Sequence, residues 1–126
     1  MLTAAWAFAA ADLLGSAVAI REDVPGEPLG LGLPVSVRTG VLVGWGAGVA
    51  APWPMPVAAL VAAARPGPRS HLVTAGLGYL CIAGTLVEPV TYGLRRRSPW
   101  VYVAIATNLA ASVGLVLSAR PTAASG

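Results

Sequence analysis

Polar residues are scarce in this chain, and they punctuate it. Four apolar runs stand out, at residues 2–20, 39–64, 72–94 and 100–118, separated by short stretches rich in arginine, proline and glycine. Apolar runs of about 18 residues or more are long enough to cross a bilayer as helices. The pattern predicts an all-α fold: a small polytopic membrane protein with four transmembrane helices, a four-helix bundle forming a single domain over residues 1–126.

The connections follow from the same pattern. Residues 21–38, REDVPGEPLGLGLPVSVR, hold three prolines, three glycines and most of the acidic charge, the composition of a loop. RPGPRSH at 65–71 reads as a tight loop, RRRSP at 95–99 as a hairpin connection, and SARPTAASG at 118–126 as a frayed tail. The second run opens glycine-rich, with Gly40, Gly44, Gly46 and Gly48, and then meets PWPMP. Three prolines in five positions cannot continue a regular helix, so helix 2 is expected to break from Pro52 to Pro56. The piece beyond, VAALVAAA at 57–64, has no polar face and is expected to be buried rather than interfacial. Helix 2 therefore reads as one discontinuous span with about 21 helical residues, roughly 30 Å.

The first run competes with a signal peptide, because AVA at 17–19 resembles a cleavage site. No positive charge precedes it and Asp12 interrupts its apolar centre, so a retained helix is the better reading.

Composition strengthens the membrane reading. The chain is 56 % hydrophobic and 10 % charged, with a mean hydropathy of +0.74, whereas a soluble surface takes roughly a quarter to a third charged residues. The net charge of +3 rests on arginine alone, placed at the ends of the apolar runs. That is a membrane-boundary pattern, and it argues against nucleic acid as a partner. The lone cysteine, Cys81, excludes an internal disulfide and reads as an inert buried thiol; His71 reads as surface polarity in a loop. With no phosphate loop, metal-ligand pair or catalytic serine motif, no cofactor, metal or catalytic residue is assigned. The bilayer is the expected partner, with a homo-oligomer or another membrane protein as a further one, since Gly40 and Gly44 have the spacing of close-packing helices.

Loops 1 and 3 carry Arg21, Arg38, Arg95, Arg96 and Arg97; loop 2 and the tail carry Arg65, Arg69 and Arg120. Five arginines against three place loops 1 and 3 in the cytoplasm of a multi-pass cell-membrane protein.

Depth isolates a candidate site. At 1.5 Å per residue, measured from that side, Asp12 lies about 13 Å inside, Glu88 about 10 Å and Asn108 about 12 Å. Three helices thus carry a polar side chain at nearly one level, while helix 2 presents Gly44, Gly46 and Gly48. On helix 3, Cys81, Thr85, Glu88, Tyr92 and Arg95 fall on one stripe. Pro89 removes a helical hydrogen bond and is expected to leave the Thr85 carbonyl without its usual partner. Asp12, Glu88, Asn108, Tyr92 and Thr85 form the candidate binding site, with Arg95 and Arg38 at its rim. Ionisable groups inside a membrane are usually functional.

The first functional expectation is a small transporter or channel-like protein binding a proton or a cationic solute at Asp12 and Glu88, since two close carboxylates in low dielectric do not both ionise readily. The alternative is a structural or accessory membrane subunit, in which Glu88 pairs with Arg95 and Asp12 holds helices together. A lipid-modifying enzyme using the carboxylates as acid and base comes third, because no nucleophile or metal supports it.

Overall fold

The computed structural model describes residues 1–46, 49–65, 67–93 and 97–120. Five α-helices occur among them: α1 Leu2–Glu22, α2 Val37–Val43, α3 Pro54–Ala64, α4 Pro68–Leu86 and α5 Pro99–Ser118. Two single 3-10 turns, Pro28–Gly30 and Pro89–Tyr92, complete the regular structure. The outer two apolar runs fold as the pattern predicts. The inner two do not.

In the second run the glycines, rather than the prolines, end the helix. α2 stops at Val43, and α3 begins at Pro54. Glycine loses the most freedom on entering a helix, and four of them in nine positions outweigh the apolar content. The chain doubles back here, the Gly46 N–H donating to the Gly40 carbonyl at 2.8 Å and the Trp53 N–H to the Val41 carbonyl at 2.9 Å. Pro54 and Pro56 begin α3 instead of breaking it, because first-turn positions have no helical acceptor for the missing N–H. The expected break at Pro52 to Pro56 is thus displaced toward the N-terminus and lengthened.

The third run is likewise shifted. α4 begins at Pro68, taking Ser70 and His71 out of the expected loop, and ends at Leu86 rather than Leu94. Ser70 Oγ closes the start, accepting from the Gly67 N–H at 3.0 Å. The end is set by Pro89: the residue before a proline avoids the helical region, and Glu88 is extended at φ −87°, ψ 130°.

α5 and α3 each pack against both α1 and α4. At one end of the molecule the Leu29 N–H donates to the Val87 carbonyl at 2.8 Å, and Arg97 donates to the Glu22 carbonyl at 3.3 Å. At the other end His71 Nδ1 meets the Ala119 carbonyl at 3.0 Å. Loops 1 and 3 therefore share an end, with α1 and α4 running toward it and α5 away. His71, read from sequence as loop polarity, ties the start of α4 to the end of α5.

The interior has two apolar clusters with a polar layer between them. Val18, Ala19, Val24, Val41, Val101 and Ile105 pack near the shared loop end. Ala5, Phe8, Ala59, Cys81 and Leu115 pack toward the other. Between them along α1 and α5 lie Asp12, Ser16, Asn108 and Ser112, all buried. The outside is apolar: Trp6, Leu13, Leu72, Leu80 and Trp100 are each at least 60 % exposed. α1 and α5 are long and apolar enough to cross a membrane. α4, although 19 residues long, begins Pro-Arg-Ser-His, and α3 has only 11 residues.

Candidate functional site

Asp12 occupies the middle of the buried face of α1, on the repeat Ala5, Phe8, Asp12, Gly15, Ser16 and Ala19. Its side chain is 0 % exposed. Neither carboxyl oxygen closes a full hydrogen bond, and the Ala51 backbone N–H is the donor that faces the group.

Asn108 comes in from α5 at the same level. Its amide nitrogen donates to the Val49 carbonyl at 2.7 Å, the Ala104 carbonyl at 3.1 Å and the Ala11 carbonyl at 3.3 Å. Three carbonyls around its two N–H donors fix which way the amide faces and tie Ala11 of α1, Val49 and α5 together. The amide oxygen is left buried without a donor. Asp12 and Asn108 thus contribute three partnerless buried acceptor oxygens on neighbouring positions. Thr74 Oγ on α4 is a further buried oxygen without a partner. An unsatisfied buried polar atom costs about 1–3 kcal/mol, more for a charged group, so such a set calls for a ligand, an ion or water.

A cavity of about 420 Å³ reaches Asn108. Trp45, Ala51 and Met55 on one side and Cys81 and Gly84 of α4 on the other are among its walls. Its surface is predominantly apolar. The Cys81 thiol, buried as expected, is within electrostatic reach of the Asp12 carboxyl.

Glu88 is buried too, at 2 % exposure, but its oxygens are occupied. Oε2 accepts from the Glu27 N–H at 2.8 Å and Oε1 from the Trp45 indole N–H at 2.9 Å. One carboxyl thus clasps loop 1, the 44–53 segment and the end of α4. Gly26 completes the arrangement, for a Cβ there would stand 2.8 Å from the Trp45 ring. No hydrogen bond joins Glu88 to Asp12 or Asn108 among the described residues. Asn108 reaches the backbone of α1 at Ala11, next to Asp12 in the chain; Glu88 belongs to a separate cluster.

The expected polar stripe on helix 3 ends with the helix. Thr85 is in the last turn of α4, its hydroxyl donating to the Cys81 carbonyl at 2.9 Å, and it lines the cavity. The Thr85 carbonyl is not orphaned, for it accepts from the Glu88 N–H at 3.2 Å and from the Thr91 hydroxyl at 2.6 Å. A 3-10 turn and a threonine replace the helical bond that Pro89 removes. Tyr92 lies beyond the helix, 60 % exposed, its hydroxyl donating to the Leu86 carbonyl. It is not part of the Asp12 cluster. Arg38 is exposed on α2, and Arg95 lies outside the described residues.

Trp45, Thr74 and the Trp53–Ser16 hydrogen bond, 3.1 Å long, escape sequence reading. The partners of the two tryptophans are distant in the chain, and only the glycine-rich flanks of Trp45 mark its place. Comparison with known proteins finds no matching family model, no matching curated protein and no matching solved structure.

Proposed function

We propose that this chain is a small multi-pass membrane protein in which Asp12 is the working carboxyl of a transport site for a proton or a cationic solute. The observation that carries the reading is the buried, partnerless carboxyl at the centre of an apolar helix. A structural carboxyl is held by donors, as Glu88 is by two; the Ala51 backbone N–H faces Asp12 without closing a full hydrogen bond. The inverted distribution of polarity, with polar side chains inward and leucine and tryptophan outward, supports a lipid surround. Residues 49–53, outside any helix, pack beside the site, and non-helical backbone of this kind suits a cavity lining inside a membrane.

In this reading the four apolar runs cross the membrane, α2 and α3 together supplying the second crossing, and loops 1 and 3 lie in the cytoplasm. Single cysteines replacing Gly32 and Gly67 in a Cys81→Ala background test the topology; a Cβ at either glycine meets nothing within 4 Å. Impermeant maleimide is expected to label them from opposite sides, Gly32→Cys from the cytoplasm. Labelling of both from one side would remove the multi-pass reading.

Transport is tested in proteoliposomes with a pH-sensitive dye. Asp12→Asn keeps the side chain's shape and removes its charge and proton. It is expected to lower proton or counter-cation flux at least about tenfold, the effect of losing one essential proton-transfer group, without loss of folded protein. Unchanged flux in a folded Asp12→Asn protein would rule out transport through this carboxyl and leave a packing role.

A further inference from the structure

We propose that the outer groove between α3 and α4 binds one anionic phospholipid, with its phosphate on Arg65 and Arg69 and an acyl chain along the groove. The inference rests on the membrane reading and makes no use of Asp12.

The groove follows from residue spacing. Val57, Ala58, Val61, Ala62 and Arg65 recur at intervals of three and four, so one apolar face of α3 runs down to an arginine at its C-cap. Arg69 and Val73, one turn apart, continue that surface on the first turns of α4. Together they line an open groove of about 530 Å³. Val57, Val61 and Val73 are each at least 43 % exposed, which leaves hydrocarbon on its walls for a ligand to cover.

The charge is all at one end and of one sign. Arg65 and Arg69 flank the short connection between the helices, and both are exposed. Among the described residues neither guanidinium has a hydrogen bond or an ion pair. Ser70, the other polar wall, is committed to Gly67, accepting from its N–H at 3.0 Å and donating to its carbonyl at 2.8 Å. The groove therefore offers two unpaired cations followed by an apolar trough. Guanidinium matches phosphate through paired N–H donors. A headgroup without an ammonium of its own gains most, because a choline brings a positive charge toward the arginines.

Length selects a lipid over a soluble phosphate. The 11 residues of α3 rise about 16 Å, against about 15 Å for the hydrocarbon half of one leaflet. With the arginines at the membrane boundary, the groove spans the depth that one acyl chain occupies. A phosphate without chains leaves that apolar length uncovered.

The test is native mass spectrometry of the full chain released from detergent micelles containing equal amounts of dioleoyl phosphatidylglycerol and dioleoyl phosphatidylcholine. One phosphatidylglycerol is expected to be retained at least about fivefold over phosphatidylcholine, the worth of a single arginine contact to an anionic lipid. The double variant Arg65→Gln, Arg69→Gln is expected to lose that preference, and Arg21→Gln, at the other end of the molecule, to keep it. Ala58→Leu, which narrows the trough and leaves the arginines in place, is expected to lower retention of both lipids. The deacylated headgroup, glycerophosphoglycerol, is expected to bind at least about tenfold more weakly than the intact lipid.

Equal retention of the two lipids, a preference unchanged in the double variant, the same loss in Arg21→Gln, or a headgroup that binds as tightly as the lipid would each overturn the inference. With maleimide labelling from opposite sides, any of these outcomes would leave the membrane reading standing. Labelling of both loops from one side would overturn the membrane reading and this site with it.

Discussion

Glu88→Ala is expected to destabilise the purified protein by about 4 kcal/mol, seen as a lowered thermal midpoint by circular dichroism in detergent. The figure combines two part-buried donors left without an acceptor, at about 1–3 kcal/mol each, with the cavity left by a buried side chain. The donors are the Glu27 N–H and the Trp45 indole N–H. Cleavage by protease within residues 21–38 is expected to accelerate in parallel, because the clasp is one of the bonds, with that of Leu29 to Val87, that hold the loop at the end of α4.

Glu88→Gln is expected to fall between, losing about half as much. Both partners are donors, so both side-chain oxygens must accept, and an amide offers only one oxygen. Trp45→Phe removes one of the two donors and is expected to cost less than Glu88→Ala. The double variant is expected to cost less than the sum, since the two groups share one interaction. A Glu88→Ala protein melting with the wild type, and no faster to proteolysis, would show that the clasp contributes nothing to the folded state.

Gly15→Ala is the second substitution with a large expected effect, a loss of about 3 kcal/mol or more from overpacking. A Cβ at this position would collide with the Val49 carbonyl and stand 2.8 Å from the Asn108 amide nitrogen. Neither neighbour can move freely, because those two atoms are hydrogen-bonded to each other at 2.7 Å. The gain of about 1 kcal/mol that alanine normally brings to a helix interior is too small to offset the collision.

Gly114→Ala on α5 is the matched control. A Cβ there meets nothing within 4 Å, so only the propensity gain remains and the midpoint is expected to rise slightly. The pair separates close approach from the general cost of glycine in a helix. Equal midpoints for the two variants would mean that α1 does not approach the 44–53 segment as closely as the geometry requires.

The outer helices were legible in the sequence because a single local signal determines them. The runs 2–20 and 100–118 are apolar, with one glycine each and no proline, and they fold as Leu2–Glu22 and Pro99–Ser118. The burial of Asp12 and Asn108 was legible for the same reason, since a polar side chain in the middle of such a helix turns toward the protein interior. Where propensities compete, the pattern misled. The glycines at 40, 44 and 46 and Pro89 each act on backbone conformation, and hydropathy is blind to that.

Glu88 shows what lay beyond reach. Helical spacing put it on one stripe with Tyr92 and Arg95 and at one depth with Asp12, and both inferences assumed that the helix continued past Pro89. Once α4 ends at Leu86, the carboxyl turns to partners 61 and 43 residues away in the chain, Glu27 and Trp45. No spacing rule connects residues so far apart. The sequence by itself determined that two carboxyls and an asparagine would be buried in an apolar helical protein, because polar groups in long apolar runs have nowhere else to go. Only the tertiary structure decided which carboxyl is satisfied and which is left free, because that depends on where loops and irregular backbone bring their N–H groups.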